Sequence, residues 1–351
     1  MPRNNSNTVS NRSEIVCLWS ASDCNPNGDP KSGNNRPRID PETQQAVVTD
    51  VRVKRYLRDQ LAEDGHGVYI RDERFNGQQA TREQLLQDRL DKLNPNEYDD
   101  DELEDAIFAD FLDQSSDIRY FGATLGVDTD DDRINNALPS SFTGPVQFSI
   151  GRSLHPVQLN EESNSLTSVI ATKDEKQAGG YDLDDNRIRF GLIATDAVVN
   201  ENAAENTHLT ETDIERLDTL WWRAMKNQTL TRSKYGQEPE IYLRVEYEQD
   251  NFHIGGLSKY LNIDEELSTE IAKVRATQDL TLDLGNLLQK LDEYSGRIDT
   301  IHFNISPRIK MSVNGNKHSL AELKDLLTDT FGQDTTHEIS IWDERDNTLP
   351  N

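Results

Sequence analysis

The sequence has only two cysteines in 351 residues, Cys17 and Cys24, and no CxxC pair. A disulfide framework and a zinc ribbon are thereby excluded. It has no run approaching the roughly 18 to 20 apolar residues that a membrane span needs, and its start, MPRNNSNTVSNRS, lacks an apolar signal core. The expectation is a cytoplasmic protein with no membrane role, beginning in a disordered stretch over residues 1–12. No Walker A loop is present, and no GxGxxG follows a strand. The seven histidines are dispersed, without HxxxH spacing or a His–Cys pair, so they form no metal-ligand set.

Positive charge is the next scarcity: 37 basic residues stand against 64 acidic ones, a net charge of -27. The first reading is a surface suited to high salt. At about 1 M ionic strength the Debye length shrinks to about 3 Å, and self-repulsion is screened. The basic residues are mostly arginine, whose weakly hydrated guanidinium suits such conditions. The alternative is an acidic face that mimics nucleic acid or binds a basic partner. The charge is unevenly spread. Residues 91–132 hold fifteen Asp or Glu against Lys92 and Arg119, whereas residues 49–58 carry Arg52, Lys54, Arg55 and Arg58 against Asp50. One segment faces water and another is built to face something negative.

Apolar periodicity gives the elements. Strands are expected over residues 13–20, 141–153, 187–199, 240–247 and 297–306. Helices are expected over 50–62, 81–93, 101–114, 210–228, 267–278 and 319–331. The helix from Thr210 opens with Thr210 and Asp213 at capping-box spacing, and Ile214, Leu217, Leu220, Trp221 and Met225 form its apolar stripe. That stripe makes Trp221 a core residue rather than a base-stacking one. Strands and helices intermix without a regular βα repeat, which points to α+β.

Between the first strand and the first helix runs DCNPNGDPKSGNNRPRID, residues 23–40. Asp23, Asn25, Asn27 and Gly28 match four positions of an EF-hand loop, but the twelfth is Asn34 where a bidentate Glu belongs, and no helix precedes. A plain turn-rich surface loop is one reading. The other is a nucleic-acid contact loop: glycines let amides approach a polyanion, Asn25 and Asn27 offer donors, and Arg36 and Arg38 supply fork-shaped cations. The following helix favours the latter. Thr49 is a natural N-cap, leaving a helix start with free amides, and Arg52, Lys54, Arg55 and Arg58 share one side of the wheel, opposite Val53, Tyr56, Leu57 and Leu61.

NPNGDP, then NRPRID and VVTDVRVKRYLRDQL, followed by TGPVQFSIGRSLHPV, IRFGLIATDAVVNENA and TETDIERLDTLWWRAMKNQTLTRSKYG, resemble the backbone subunit of type I CRISPR interference (Cascade) complexes, especially the haloarchaeal type I-B branch. The blocks cover most of the chain outside residues 65–139 and the C-terminal part. The resemblance implies a modified RRM-like (ferredoxin-like) palm over residues 13–351, with an acidic helical finger insertion at 65–139 and a β-hairpin thumb at 157–187. It implies copies of the chain stacked in a helical filament on CRISPR RNA, presenting the guide for pairing with target DNA in antiviral defence. The implied partners are the crRNA-processing endonuclease, the 5′-end-capping subunit, and the large and small subunits. No cofactor is implied.

On this basis the candidate RNA contacts are Asn25, Asn27, Arg36, Arg38, Thr49, Arg52, Lys54 and Arg55. Gln147, Ser149, Arg152 and Ser153 join them on the strand end flanked by glycine. In the thumb, Ile170 is placed to wedge between bases, with Lys173, Arg187 and Arg189 on phosphates. Ser233 and Lys234 add a further edge. His155 is either a satisfied structural histidine or an RNA contact. Related type III subunits cut target RNA with an Asp after the first strand, so Asp23 and Asp29 raise a metal-dependent endoribonuclease as an alternative. The NPNGDP signature points instead to binding without cutting. A self-assembling structural protein with no nucleic-acid role is the remaining alternative, and it leaves the basic helix unexplained.

Overall fold

The structure is a computed structural model that describes residues 7–28, 35–71, 74–75, 78–90, 100–125, 137–160, 165–167, 182–184, 186–248 and 251–341. Its centre is one large sheet. The strands are β1 (Ser13–Cys24), β2 (Gln45–Val48), β3 (Val146–Phe148), β4 (Gly151–Pro156), β5 (Ile188–Val199), β6 (Gln237–Tyr247), β7 (Ile298–Ile305) and β8 (Thr336–Glu338). Their spatial order is β8-β7-β6-β1-β5-β4-β2, with β3 also pairing β5, and every pairing is antiparallel except β7 with β8. Within it, β6-β1-β5-β4 forms a four-stranded unit. Counted along the chain these are its fourth, first, third and second strands, with α1 (Asp50–Glu63) after the first and α6 (Glu211–Lys226) after the third.

Residues 13–20 of β1 are all buried, which explains an apolar run without alternation. Ile15, Cys17, Trp19 and Ala21 face a core built with Val53, Tyr56, Leu57 and Leu61 of α1 and Leu217, Leu220 and Trp221 of α6. Val16 and Leu18 face a second core, made with residues 257–327. That second layer holds a four-stranded sheet (Asn262–Ile263, Thr281–Asp283, Lys310–Val313, Asn316–His318) and the helices α7 (Gly285–Glu293) and α8 (Leu320–Phe331). Both faces of the main sheet are therefore covered. The insertion after α1 has its own core, where Leu86, Leu103, Ile107, Phe111 and Ile118 gather. Its helices are α2 (Arg82–Leu90), α3 (Asp100–Asp113) and α4 (Ser116–Phe121). A short helix, α5 (Glu201–Thr207), precedes α6.

The capping box at α6 forms as the spacing implied, with Thr210 accepting from Asp213 N and Asp213 from Thr210 N. Two expected elements differ. Residues 267–278 form not a helix but two 3-10 turns, Ile271–Lys273 and Thr277–Asp279. There the Asp279 carboxylate accepts from the amides of Arg275 and Ala276, and the Thr277 hydroxyl donates to buried Glu240, so side chains take over bonds a helix would have made. The strand expected over 141–153 breaks into Ser141–Thr143, β3 and β4, because Gly144 is pressed against the Phe121 backbone and Pro145 follows it.

The disordered start expected over residues 1–12 is corrected at 7–12: Val9 is buried and its amide donates to Leu209 O at 3.0 Å, while Arg12 pairs with Glu201 at 2.7 Å. In the expected thumb, Ser165–Thr167 pairs antiparallel with Asp182–Asp184. Residues 168–181, with Ile170 and Lys173, lie outside the described residues.

Candidate nucleic-acid interface

Beyond β1 each residue is handed to a different element. Asn25 N–H donates to Ser233 O at 2.7 Å, its side chain donates to Asn35 O at 2.7 Å, and Lys234 Nζ donates to Asn25 O at 2.5 Å. Pro26 O accepts from the Tyr56 hydroxyl at 2.7 Å. Asn27 Oδ1 accepts from both the amide (2.8 Å) and the hydroxyl (2.9 Å) of Thr49. Gly28 fits beneath Asn35, whose Oδ1 would stand 2.1 Å from an added Cβ. Thr49 in turn caps α1, accepting from Arg52 N at 3.4 Å. The loop thus fixes the helix start, whose first amides have no intrahelical acceptor.

This loop, the first turns of α1 and the segment after α6 enclose a cleft of about 790 Å³. Arg38, Thr49, Arg52, Arg55, Ser233 and Lys234 all line it. Arg52 lies over the Tyr56 ring at 5.7 Å, and Arg55 pairs with Asp59 at 2.7 Å. Lys234 is squeezed by burial, and next by the Arg52 charge, so that its pKa falls to about 8. Concentrated cationic donors at a helix start, in a protein this acidic, suit a phosphate-bearing ligand.

The other expected contacts fall into distinct settings. Asn25 and Asn27 line the inside of the loop, 1% and 5% exposed, so they shape it rather than reach a ligand. Arg36 is exposed on the loop. Lys54 Nζ donates to Gln147 Oε1 at 2.9 Å and sits 6.0 Å over Phe121, with its pKa lowered by burial. Ser149 accepts from Asp196 N at 3.0 Å within the sheet. Exposed Arg152 pairs with Asp40 at 3.1 Å. Ser153 is fully buried, accepting from Ala46 N and donating to His155 O, which corrects its expected place in the RNA groove. Arg187 donates to Asp23 O at 2.9 Å and Arg189 to Gln158 Oε1 at 3.4 Å, both at the root of the 157–187 excursion.

Arg58, on the basic side of the wheel, turns inward to Asp117 at 2.9 Å and 5.2 Å over Phe121, tying α1 to the insertion. His155 is structural: its Nε2 accepts from Leu192 N, its Nδ1 bonds Pro156 O, its ring stacks on Phe190, and burial lowers its pKa. Trp221 is fully buried, edge-on to Trp19. Sequence reasoning missed the apolar lining of the cleft. Val51 (67% exposed), Ile70 (40%) and Leu230 (83%) all face it. The available signal was Val51, an apolar residue beside Arg52 on the helix's exposed side.

Among the described residues no group of three or more His, Cys, Asp or Glu is placed to hold a metal ion. Asp23 Oδ1 is taken by Asn160 Nδ2 at 2.9 Å, and Asp29 lies outside the described residues. Among the described residues no helix is long and apolar enough to cross a membrane.

Two solved chains described as a CRISPR RNA-guided surveillance complex, one of them pre-nicking, match with TM-scores of 0.44 and 0.47 at 14% and 13% identity, each covering 91% of this chain and 100% of the other. A curated protein of Haloferax volcanii, CRISPR-associated protein Cas7, is 43% identical over 349 residues, covering 97% of this chain and 99% of the relative. The family model described as CRISPR-associated protein Cas7 matches residues 11–285. With that span matched and that identity over nearly the whole length, the chain belongs to the Cas7 family of CRISPR-associated proteins.

Proposed function

We propose that this chain is the non-catalytic backbone subunit of a type I CRISPR interference complex, binding CRISPR RNA along a filament of its own copies. It presents the guide to target DNA beside the processing, 5′-capping, large and small subunits. The observation that carries this reading is the cleft at the start of α1, where Arg38, Arg52, Arg55 and Lys234 converge in a chain of net charge -27. A ribose-phosphate chain laid there meets helix-end amides, guanidinium forks and the apolar surfaces of Val51 and Leu230.

The palm is RRM-like in this reading. The fourth-first-third-second strand order, with α1 and α6 on one face, supports it. Standard RRM modules stack bases on the open sheet face. Here that face is covered by residues 257–327, so the guide runs at the end of the sheet instead. Residues 65–139 act as the finger and residues 157–187 as the thumb. The protein works in the cytoplasm at high salt, and its acidic surface supports this. Binding without cutting is favoured by the NPNGDP signature, and one oxygen of the Asp23 carboxylate is held by Asn160.

Ultraviolet crosslinking of the protein assembled on its guide tests the reading. Crosslinks should concentrate at residues 25–58 and 227–236. Guide crosslinked elsewhere, with both segments untouched, refutes it. Complementary RNA added with magnesium should stay intact, whereas regularly spaced cuts would restore the endoribonuclease alternative.

A further inference from the structure

Among the described residues, Asp23, next to the end of β1 and leading into the guide-binding loop, bonds to both sides of the root of the 157–187 excursion, at Asn160 and at Arg187. Its φ is 45°, a left-handed conformation rare for a side chain other than Asn or Asp. On either side the β1–β5 register is regular, pairing Ser22 with Phe190 and Cys24 with Ile188. The turn at Asp23 presents its carboxylate to Asn160 Nδ2 and its carbonyl to Arg187 Nη1, both at 2.9 Å. Asn160 and Arg187 are themselves joined, the Asn160 amide donating to Arg187 O at 2.8 Å. Two residues further on, Asn25 is held from the opposite side by Ser233 and Lys234.

We propose that Asp23 is a positioning residue that ties the root of the 157–187 excursion, at Asn160 and Arg187, to the start of the guide-binding loop, so that the two keep a fixed separation. The proposal rests on the guide-binding reading. A chain gripping RNA between a loop and a hairpin needs the two at a fixed separation. Without the Asp23 bridge, fixing that separation would cost conformational freedom at the moment of binding. Asp23 is exposed, so removing its carboxylate leaves the cores beneath intact. The bridge gives this Asp a geometric function, with one carboxylate oxygen and the backbone carbonyl both engaged.

Three variants separate side chain from backbone. Asp23→Asn keeps both the acceptor oxygen and the tolerance for φ 45°. Asp23→Gly keeps only the backbone freedom, and Asn160→Ala removes the partner donor. Hydrogen exchange at the amides of Asn25, Asn160 and Arg189 is followed in the free protein, and guide-RNA affinity by filter binding. Asp23→Gly and Asn160→Ala should each speed exchange at Asn160 and Arg189 and weaken guide binding about three- to tenfold, the worth of one or two hydrogen bonds. Asp23→Asn should match the parent, and Asp23→Gly combined with Asn160→Ala should be no worse than either alone. Unchanged exchange and binding in both single variants, or additive losses in the double, overturn the proposal. If the parent protein itself holds no RNA, the guide-binding reading fails, while the exchange results still decide the coupling.

Discussion

Asn27 offers the sharpest separation between building the cleft and occupying it. Its side chain is 5% exposed, and Oδ1 accepts two hydrogen bonds from Thr49, which itself caps α1. Asn27→Ala removes both bonds, leaves the half-buried Thr49 amide without its partner, and frees the capping hydroxyl to rotate. One orphaned donor costs roughly 1 to 3 kcal/mol and a weakened cap about 1 kcal/mol more, so a loss of about 2 to 4 kcal/mol is expected. In a chain of this length about 2 °C of midpoint per kcal/mol is reasonable, so calorimetry should register a fall of roughly 4 to 8 °C. Asn27→Asp behaves differently. Its carboxylate can still accept both Thr49 bonds, so the fold should be nearly as stable as the parent, but it puts a negative charge at the floor of the cleft. Guide affinity should then fall at least tenfold in filter binding while the melting temperature moves little. If Asn27→Asp binds guide as the parent does, the cleft is not where the polyanion lies. If Asn27→Ala melts unchanged, the loop does not hold the helix as argued.

The other expectations are brief. Arg52→Ala with Arg55→Ala should weaken guide retention even in molar KCl, while neutralising scattered surface Asp leaves it unchanged; equal effects in a gel-shift series contradict the assignment. Lys234 has a folded pKa lowered to about 8 chiefly by burial, so a bound phosphate must draw a proton back onto it as pH rises past that value. Guide affinity should therefore decline between pH 7.5 and 9.5, and Lys234→Arg should flatten the decline. His155 has a folded pKa below its unfolded value near 6.5, so its stabilisation is complete above that pH and shrinks as pH falls through the window beneath. His155→Gln should lose up to one proton's worth of melting-temperature slope as pH falls below about 6.5; an unaltered slope refutes the role of the Leu192 N–H bond.

What the sequence made legible was local. The apolar run of β1, the wheel of α1 and the Thr210 capping box each encode their structure within a few residues, so periodicity and cap chemistry suffice. The helix expected over 267–278 failed because Asp279 and Thr277 bond backbone and Glu240 instead, and Glu240 is far away in sequence. The same limit governs the site. A helical wheel gives the side on which Arg58 lies, but not that Asp117 of the insertion covers that side. Composition marked Asn25 and Asn27 as polar donors in a loop, yet a loop this dense needs its own polar side chains to close, and those two are consumed in doing so. Ser153 sits one residue from exposed Arg152, and strand alternation alone turns it inward. The exposed Arg36 and Arg38 and the half-buried Arg52 and Arg55, by contrast, stayed where the charge pattern put them, since a charge is costly to bury without a partner, whereas Arg58 found one inside in Asp117.

That pattern also bears on how, in the proposed reading, an acidic protein would hold an acidic polymer in strong salt. Release of condensed counterions supplies little once the bulk concentration approaches molar, and a Debye length of about 3 Å confines attraction to contact. What survives is what the cleft has: guanidiniums already stripped of some water, as Arg52 is over Tyr56, helix-end amides aimed at one point, and the apolar sides of Val51 and Leu230. Surface carboxylates more than a few ångströms from a strand repel it little, because salt screens them at that distance. Affinity then depends on preorganisation of a few contacts rather than on the net charge. The hydrogen bonds that tie Asn25, Asn27, Thr49 and Lys234 together therefore matter more to guide binding than adding further lysines to the rim would.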